Sequence, residues 1–272
     1  MDPIRSILVH VDAGPHGRAR LELAAALGRA QGAEVAALYA VTPVFVEMAF
    51  DVAMGAPPKA LLDVDEYRIS TARALVSAVS TETGVPIEWR EAREAPERTT
   101  ITHALCSDLV VLGQHDRANR YTGVLPDFAP WVIIGSGRPC IVVPYIGARA
   151  SSFGNVLVAW KATREAAHAL SAALPLLQRA QSINVAIDLD TTQSQKDLLQ
   201  AHLRRHGVQA TWHLLSGSSA TAGEAILSLA TDVGADLIAM GCYGHSRVRE
   251  FVLGGATRTV LESMTVPVLM AH

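Results

Sequence analysis

Ser107-Asp108-Leu109-Val110-Val111-Leu112-Gly113 returns 128 residues later as Ala235-Asp236-Leu237-Ile238-Ala239-Met240-Gly241. Each copy is a small residue, an aspartate, a short apolar run and a glycine. An apolar run of this length bounded by turn residues reads as a buried strand. The same offset relates Pro139-Cys140-Ile141-Val142-Val143 to Pro267-Val268-Leu269-Met270. Two separate matches at one offset mark a duplication, and a chain of 272 residues accommodates two domains.

The openings of the copies also agree. Ser6-Ile7-Leu8-Val9-His10-Val11-Asp12 parallels Asn155-Val156-Leu157-Val158-Ala159-Trp160-Lys161, at an offset of 149. The first copy therefore carries 21 extra residues (149 minus 128) between its first strand and the Asp108 strand. Residues 43–60, with Pro43, Met48, Met54, Gly55, Pro57 and Pro58, are the expected place, and their punctuated apolar composition reads as a packed loop. The small residues from Gly147 to Gly154 read as a linker, giving domains 1–147 and 154–272.

Within the first domain the pattern predicts strands at Ile7–Val11, Glu34–Val41, near Pro86–Arg90, at Asp108–Leu112 and at Cys140–Val143. Helices are predicted at Arg18–Gln31 and Leu61–Glu82, with a short one before Asp108. The second domain repeats this, with strands at Val156–Trp160, Ile183–Leu189, Thr211–Leu215, Asp236–Met240 and Val268–Met270. Its helices are predicted at Arg164–Gln178, Gln193–His206, Ala222–Val233 and Thr257–Ser263. Continuous apolar strands alternating with alanine-rich helices imply an α/β fold: tandem doubly wound parallel sheets, covered on both faces.

Composition narrows the function classes. Half the residues are hydrophobic, aromatics are 5%, the net charge is −3, and there is no run of five Lys or Arg. Nucleic acid is therefore not an expected partner, since phosphate neutralisation needs clustered cations. No apolar stretch approaches the ~18 residues of a membrane span, and Met1-Asp2-Pro3-Ile4-Arg5 has no signal-peptide pattern. Cys106, Cys140 and Cys242 are too scattered for a disulfide framework or a metal clip. A reducing, cytoplasmic setting is expected.

One motif carries chemistry. The Asp236 strand runs into Gly241-Cys242-Tyr243-Gly244-His245-Ser246, nine residues separate Gly244 from Gly254, and Gly255-Ala256-Thr257 follow. In a doubly wound sheet, ligands sit beyond the carboxyl ends of the strands, where strand order reverses. Glycines there let backbone approach a phosphate. A helix starting near Thr257 would aim its free amides and positive dipole end at an anion.

Gly-x2-Gly-x9-Gly after such a strand resembles the ATP-binding signature of universal stress proteins. Gly223-Glu224-Ala225-Ile226-Leu227 before the strand and Thr265-Val266-Pro267-Val268-Leu269 at the end of the chain are similar too. The resemblance spans nearly the whole chain. It implies Rossmann-like, adenine nucleotide alpha hydrolase-like domains related by a pseudo-twofold, with Cys140–Val143 and Val268–Met270 pairing antiparallel. It implies ATP, with accompanying Mg, as the ligand. Adenine would lie near the first and second strand ends (Ala159, Trp160, Lys161 and Asp188). Ribose and phosphates would lie on Gly241, Gly244, His245, Ser246, Gly254, Gly255, Ala256 and Thr257. The first-domain counterparts are Asp12, Val41 and Gly113. The resemblance further implies a stress-response role with an intramolecular pseudo-dimer, and it leaves a homodimer and an unknown protein partner open.

This chain departs from the signature in both domains. Lys161 stands where the first strand of binding members ends in an acid, and an ammonium donates hydrogen bonds without accepting any. Gly255 replaces the usual hydroxyl residue. The first domain retains Asp12, but its loop reads Gly113-Gln114-His115-Asp116 and then Pro126-Asp127-Phe128-Ala129. There a proline removes a donor and an aspartate puts negative charge where a phosphate would lie. A degenerate first domain beside a binding second domain is one reading. A nucleotide-free scaffold for a protein or apolar ligand, drawing on Val44-Phe45-Val46-Glu47-Met48-Ala49-Phe50, is the other.

An enzyme is not expected beyond weak ATP hydrolysis, since no His-x-Gly-His and no Ser-Gly-Gly-x-Asp-Ser motif occurs. His202 and His206 lie four apart, but Arg204 and Arg205 separate them and no acid or Cys supports a metal, so a solvated face is expected. His115 and His245 read as loop residues near either site. Cys242 reads as a turn filler, or as a redox-sensitive thiol if a helix dipole lowers its pKa. Ser216-Gly217-Ser218-Ser219 reads as a turn, and Trp160 and Trp212 read as core residues.

Overall fold

A computed structural model describes residues 4–12, 14–47, 59–92, 95–119, 123–147, 153–215, 222–242 and 255–272. Contacts divide the chain into a unit from Ile4 to Ser136 and a unit from Gly137 to His272.

The first unit contains β1 (Ser6–Val11), α1 (Gly17–Gln31), β2 (Glu34–Ala40), α2 (Val44–Glu47), α3 (Lys59–Thr83), β3 (Ile87–Ala92), α4 (Pro96–Ala104), β4 (Leu109–Gly113) and α5 (Phe128–Ser136). Its strands are parallel in the order β3-β2-β1-β4. Chain order therefore reverses between β1 and β4. Ile7, Leu8 and Val9, which point alternately to opposite faces, are all essentially solvent-free, so both faces of the sheet are covered. Two expectations need correcting. Val44–Glu47 is one turn of helix rather than loop, because the Asp65 carboxylate accepts the Val44 N–H at 3.0 Å and holds the start of the turn. The segment Phe128–Ser136 is helix α5, where the sequence reading puts Pro126-Asp127-Phe128-Ala129 in a loop, because Phe128, Ala129, Val132 and Ile133 bury an apolar face. The rest of the insertion, residues 48–58, lies outside the described residues.

The second unit contains β5 (Cys140–Val143), β6 (Asn155–Trp160), α6 (Arg164–Leu177), β7 (Ser182–Asp188), α7 (Gln193–Arg205), β8 (Thr211–Leu215), α8 (Ala222–Asp232), β9 (Leu237–Gly241), α9 (Gly255–Ser263) and β10 (Val268–Ala271). The order is β5-β10-β9-β6-β7-β8, parallel except for β5. As the resemblance implied, β5 runs antiparallel to β10, with Ile141 opposite Leu269. The last strand of the first repeat thus belongs to the second unit. Chain order reverses here between β6 and β9. Local chemistry sets the helix starts: Thr163 caps α6 by accepting the Ala166 N–H, and Thr192 with Gln195 forms a reciprocal capping box on α7. The α9 helix begins at Gly255, two residues earlier than expected.

The aspartate of the repeated motif has the same task in both units. Asp108 Oδ2 accepts the N–H groups of Arg5 and Ser6 at 2.9 and 3.0 Å, and the Ser6 hydroxyl at 3.0 Å. Asp236 accepts the Gly154 N–H at 2.7 Å and the Asn155 N–H at 3.1 Å. In return the Asp108 N–H donates to Ser6 O, and that of Asp236 to Asn155 O. Each aspartate thereby locks the start of one strand to that of its neighbour across the switch in strand order. Asp236→Ala removes a charged acceptor from two part-buried amides and should cost about 2 kcal/mol, with Asp236→Asn costing less, read as a fall in denaturant midpoint at constant m.

Candidate functional site

In the second unit, register brings the expected nucleoside positions together. Ala159 pairs with Met240 on β9 and with Ala186 on β7, and Trp160 pairs with Ile187, so the carboxyl ends of β6, β7 and β9 lie side by side. Ala159, Trp160 and Asp188 are half-buried, and Lys161 is exposed just past the end of β6. Trp160 is therefore not a core residue, and its buried Nε1 has no hydrogen-bond acceptor among the described residues. Trp212 is also only half-buried, with the Lys196 ammonium 5.3 Å from its ring centre.

Gly241 closes β9, and its lack of a side chain serves packing. A Cβ there would lie 2.4 Å from the Ala166 nitrogen and 2.6 Å from the Glu165 carbonyl carbon, so the first turn of α6 rests on this glycine. Glu165 is buried at the same place, and Arg164 donates to its carboxylate. Cys242 departs from the redox expectation. Its N–H and thiol both donate to Ala271 O, and burial, aided by Cys140 and Glu165, pushes the thiol pKa well up. His272 and His168 continue this network, with His272 Nδ1 3.2 Å from Cys242 O and His168 Nδ1 3.0 Å from His272 O.

At the start of α9, Gly255 is exposed and a Cβ on it would meet nothing within 4 Å among the described residues. Ala256 is half-buried. Thr257 is buried at 4% exposure. The α8 helix presses against this turn, since a Cβ on Gly223 would come within 2.9 Å of Ala256 O. Gly244, His245, Ser246 and Gly254 lie outside the described residues, as do Ser216–Ser219.

The first unit is arranged differently. Asp12, just past β1, is gripped by Arg20 from α1: Nη1 donates to Oδ2 at 2.8 Å and Nη2 to Oδ1 at 2.7 Å. The Gly14 N–H adds a third donor at 2.8 Å. Burial alone would raise the Asp12 pKa, but the Arg20 charge and hydrogen bonds outweigh it and hold it at about 2. Behind the pair, His10 is buried against Phe128, with Nε2 2.8 Å from Ala40 O, and burial brings its pKa down to about 4. Gly113 faces Arg20: a Cβ would lie 2.7 Å from Nη1. Val41 is buried under Gly123, whose φ of +77° and position 2.6 Å (by its virtual Cβ) from Val41 Cβ leave room for glycine alone. Asp116, the counterpart of Gly244, pairs with His16 at 3.1 Å, and the Ala118 N–H and His16 lower its pKa. His115 is half-buried.

Arg20 escaped the sequence reading. The available signal was a charge on the apolar stripe of α1, in helical phase with Ala24 and Leu27. Glu165 carries the same signal on α6. No group of three His, Cys, Asp or Glu placed to hold a metal occurs among the described residues. The His202 and His206 rings lie 4.7 Å apart, and burial, then His206 and Arg205, lower the His202 pKa. No helix among the described residues is long and apolar enough to cross a membrane.

Two predictions follow from these contacts. Gly241→Ala must displace the α6 backbone, so it should cost roughly 1–3 kcal/mol, measured by denaturation with no ligand present. His10 titrates near 6.5 when unfolded and near 4 when folded. The unfolded chain thus binds more protons in that interval, and the stability present above 6.5 is lost as pH falls toward 4, by at most about 1.4 kcal/mol per pH unit. His10→Phe should remove this slope from the stability–pH profile. The Asp12 contribution is separate: it is present above 3.8 and is lost as pH falls toward 2.

A sequence profile described as "Universal stress protein family" matches residues 3–144 and again 152–272. The "Universal stress protein Slr1230" of Synechocystis sp. is 29% identical over 173 residues, an alignment covering 60% of this chain and 57% of that protein. The crystal structure of a universal stress protein from Archaeoglobus fulgidus superposes with a TM-score of 0.74 at 17% identity, over 98% of this chain and 97% of that one. A functionally unknown protein of Pseudomonas aeruginosa gives 0.63 at 17% identity, over 98% and 92%. At these identities the structures speak to fold, and the duplicated profile speaks to descent: this chain belongs to the universal stress protein family, as a tandem of two of its domains.

Proposed function

We propose that the second domain, residues 154–272, binds an adenine nucleotide at the carboxyl edge of its sheet, in a stress-response protein that acts by binding rather than catalysis. The observation that carries this is the side-by-side emergence of three strand ends (β6, β7 and β9) at a switch in strand order. The fit is chemical. Among the described residues nothing crowds Gly255, and the start of α9 would offer its amides to an anion. Trp160 and Ala159 supply half-buried surface for a base. Asp188, half-buried at the end of the adjacent strand, supplies an acceptor for ribose hydroxyls that Lys161 lacks. Gly244, His245, Ser246 and Gly254 would complete the phosphate loop. Mg would accompany the phosphates. Gly241 supports the site indirectly, by seating α6.

A nucleotide-free scaffold is the second reading. It is favoured by exposed apolar side chains of the first domain, Leu62, Val64 and Tyr67 of α3 and Val46 of α2, which suit a protein partner.

Denaturing the purified chain and reading the released absorbance and mass separates the two. Bound ATP or ADP supports the first reading. Titration then tests the residues: Lys161→Asp with Gly255→Ser restores the acid and the hydroxyl without a steric clash at residue 255, and should tighten ATP binding about tenfold or more. A chain that releases no nucleotide, and whose double variant binds no ATP, leaves only the scaffold.

A further inference from the structure

We propose that Arg20 is a built-in occupant of the first domain's crevice, excluding nucleosides from it and making that domain a closed counterpart to the second. All three positions at which a ligand would be met are taken by the chain itself. Asp12 receives both terminal nitrogens of Arg20 and the Gly14 N–H, Gly113 abuts the guanidinium, and Val41 lies under Gly123. Arg20 is 3% exposed and Asp12 is nearly as enclosed.

A purely structural need does not explain the pair. Taking two charges out of water costs enough that apolar residues of similar volume would hold the helix to the sheet as well. Among the described residues Arg20 Nε is buried without an acceptor, and His10 Nδ1 without a partner. What the pair does achieve is exclusion. A ribose seeking Asp12 must break two charge-assisted bonds in a water-poor site and strand a guanidinium there. Counted by the offset between β1 and β6, the second domain has Lys161 in place of Asp12 and Ala169 in place of Arg20. It lacks both halves of the pair, so the two residues behave as one device.

The test is calorimetric titration of the full chain with adenosine, which isolates the nucleoside end from the phosphate loop. Arg20→Met should gain one further equivalent of bound adenosine over the wild type, and adding Asp12→Ala should abolish it. A folded Arg20→Met chain that gains nothing overturns the inference, as does a wild-type equivalent that Asp12→Asn removes. If Arg20→Met does not fold, the wild type is read by NMR. Slowly exchanging Arg20 Nη protons that ignore millimolar adenosine support the inference, and their loss on adding adenosine overturns it. The gain is scored against the wild type, so it is legible whether or not the second domain binds nucleotide.

Discussion

The hydrogen bonds from Asp108 and Asp236 to the chain across the sheet are the constraint on which the architecture rests. Each carboxylate takes two backbone amides at the start of the neighbouring first strand, and each aspartate returns its own N–H. In a sheet buried on both faces the strands are near-continuous apolar runs, so alternation between faces carries little register information and these bonds add to it. With the starts of β1 and β4, or of β6 and β9, tied together, their carboxyl ends must emerge level. Everything beyond those ends inherits its position from that tie, including Asp12, Gly113, Trp160 and Gly241.

From this common frame the domains diverge at one layer of side chains. In the second, the glycine ending β9 receives the backbone of α6, and Lys161 and Ala169 stand where the first has Asp12 and Arg20. In the first, the glycine ending β4 receives the Arg20 guanidinium, and the carboxylate beside it is consumed. The same small residue after the same strand therefore accommodates backbone in one case and a charge in the other. Both uses are packing within the chain.

Much of this was legible beforehand. Repetition at a single offset revealed the duplication, and apolar runs located the strands, because burial on both faces leaves a near-continuous apolar composition. The antiparallel partnership of Cys140–Val143 with Val268–Met270 came from family likeness, and the pairing is present. Reading failed where long-range contact overrides local signal. Val44–Glu47 turns helical because Asp65, 21 residues along the chain, supplies an acceptor. Cys242 reads as a turn filler or a redox-sensitive thiol, and the fold makes it a buried thiol bonded to Ala271 O of β10.

Sequence by itself determined the duplication, the α/β class, the family and the chemical inventory at each strand end, because those reside in spacing and residue type. Only the tertiary structure decided which of those groups face an open edge and which face one another. Asp12 reads as a vacant acceptor until α1 is laid across the sheet, and then Arg20, eight residues on, is found to fill it. Electrostatic pairing depends on distance after folding, and one turn of helix suffices to turn a binding group into a satisfied one.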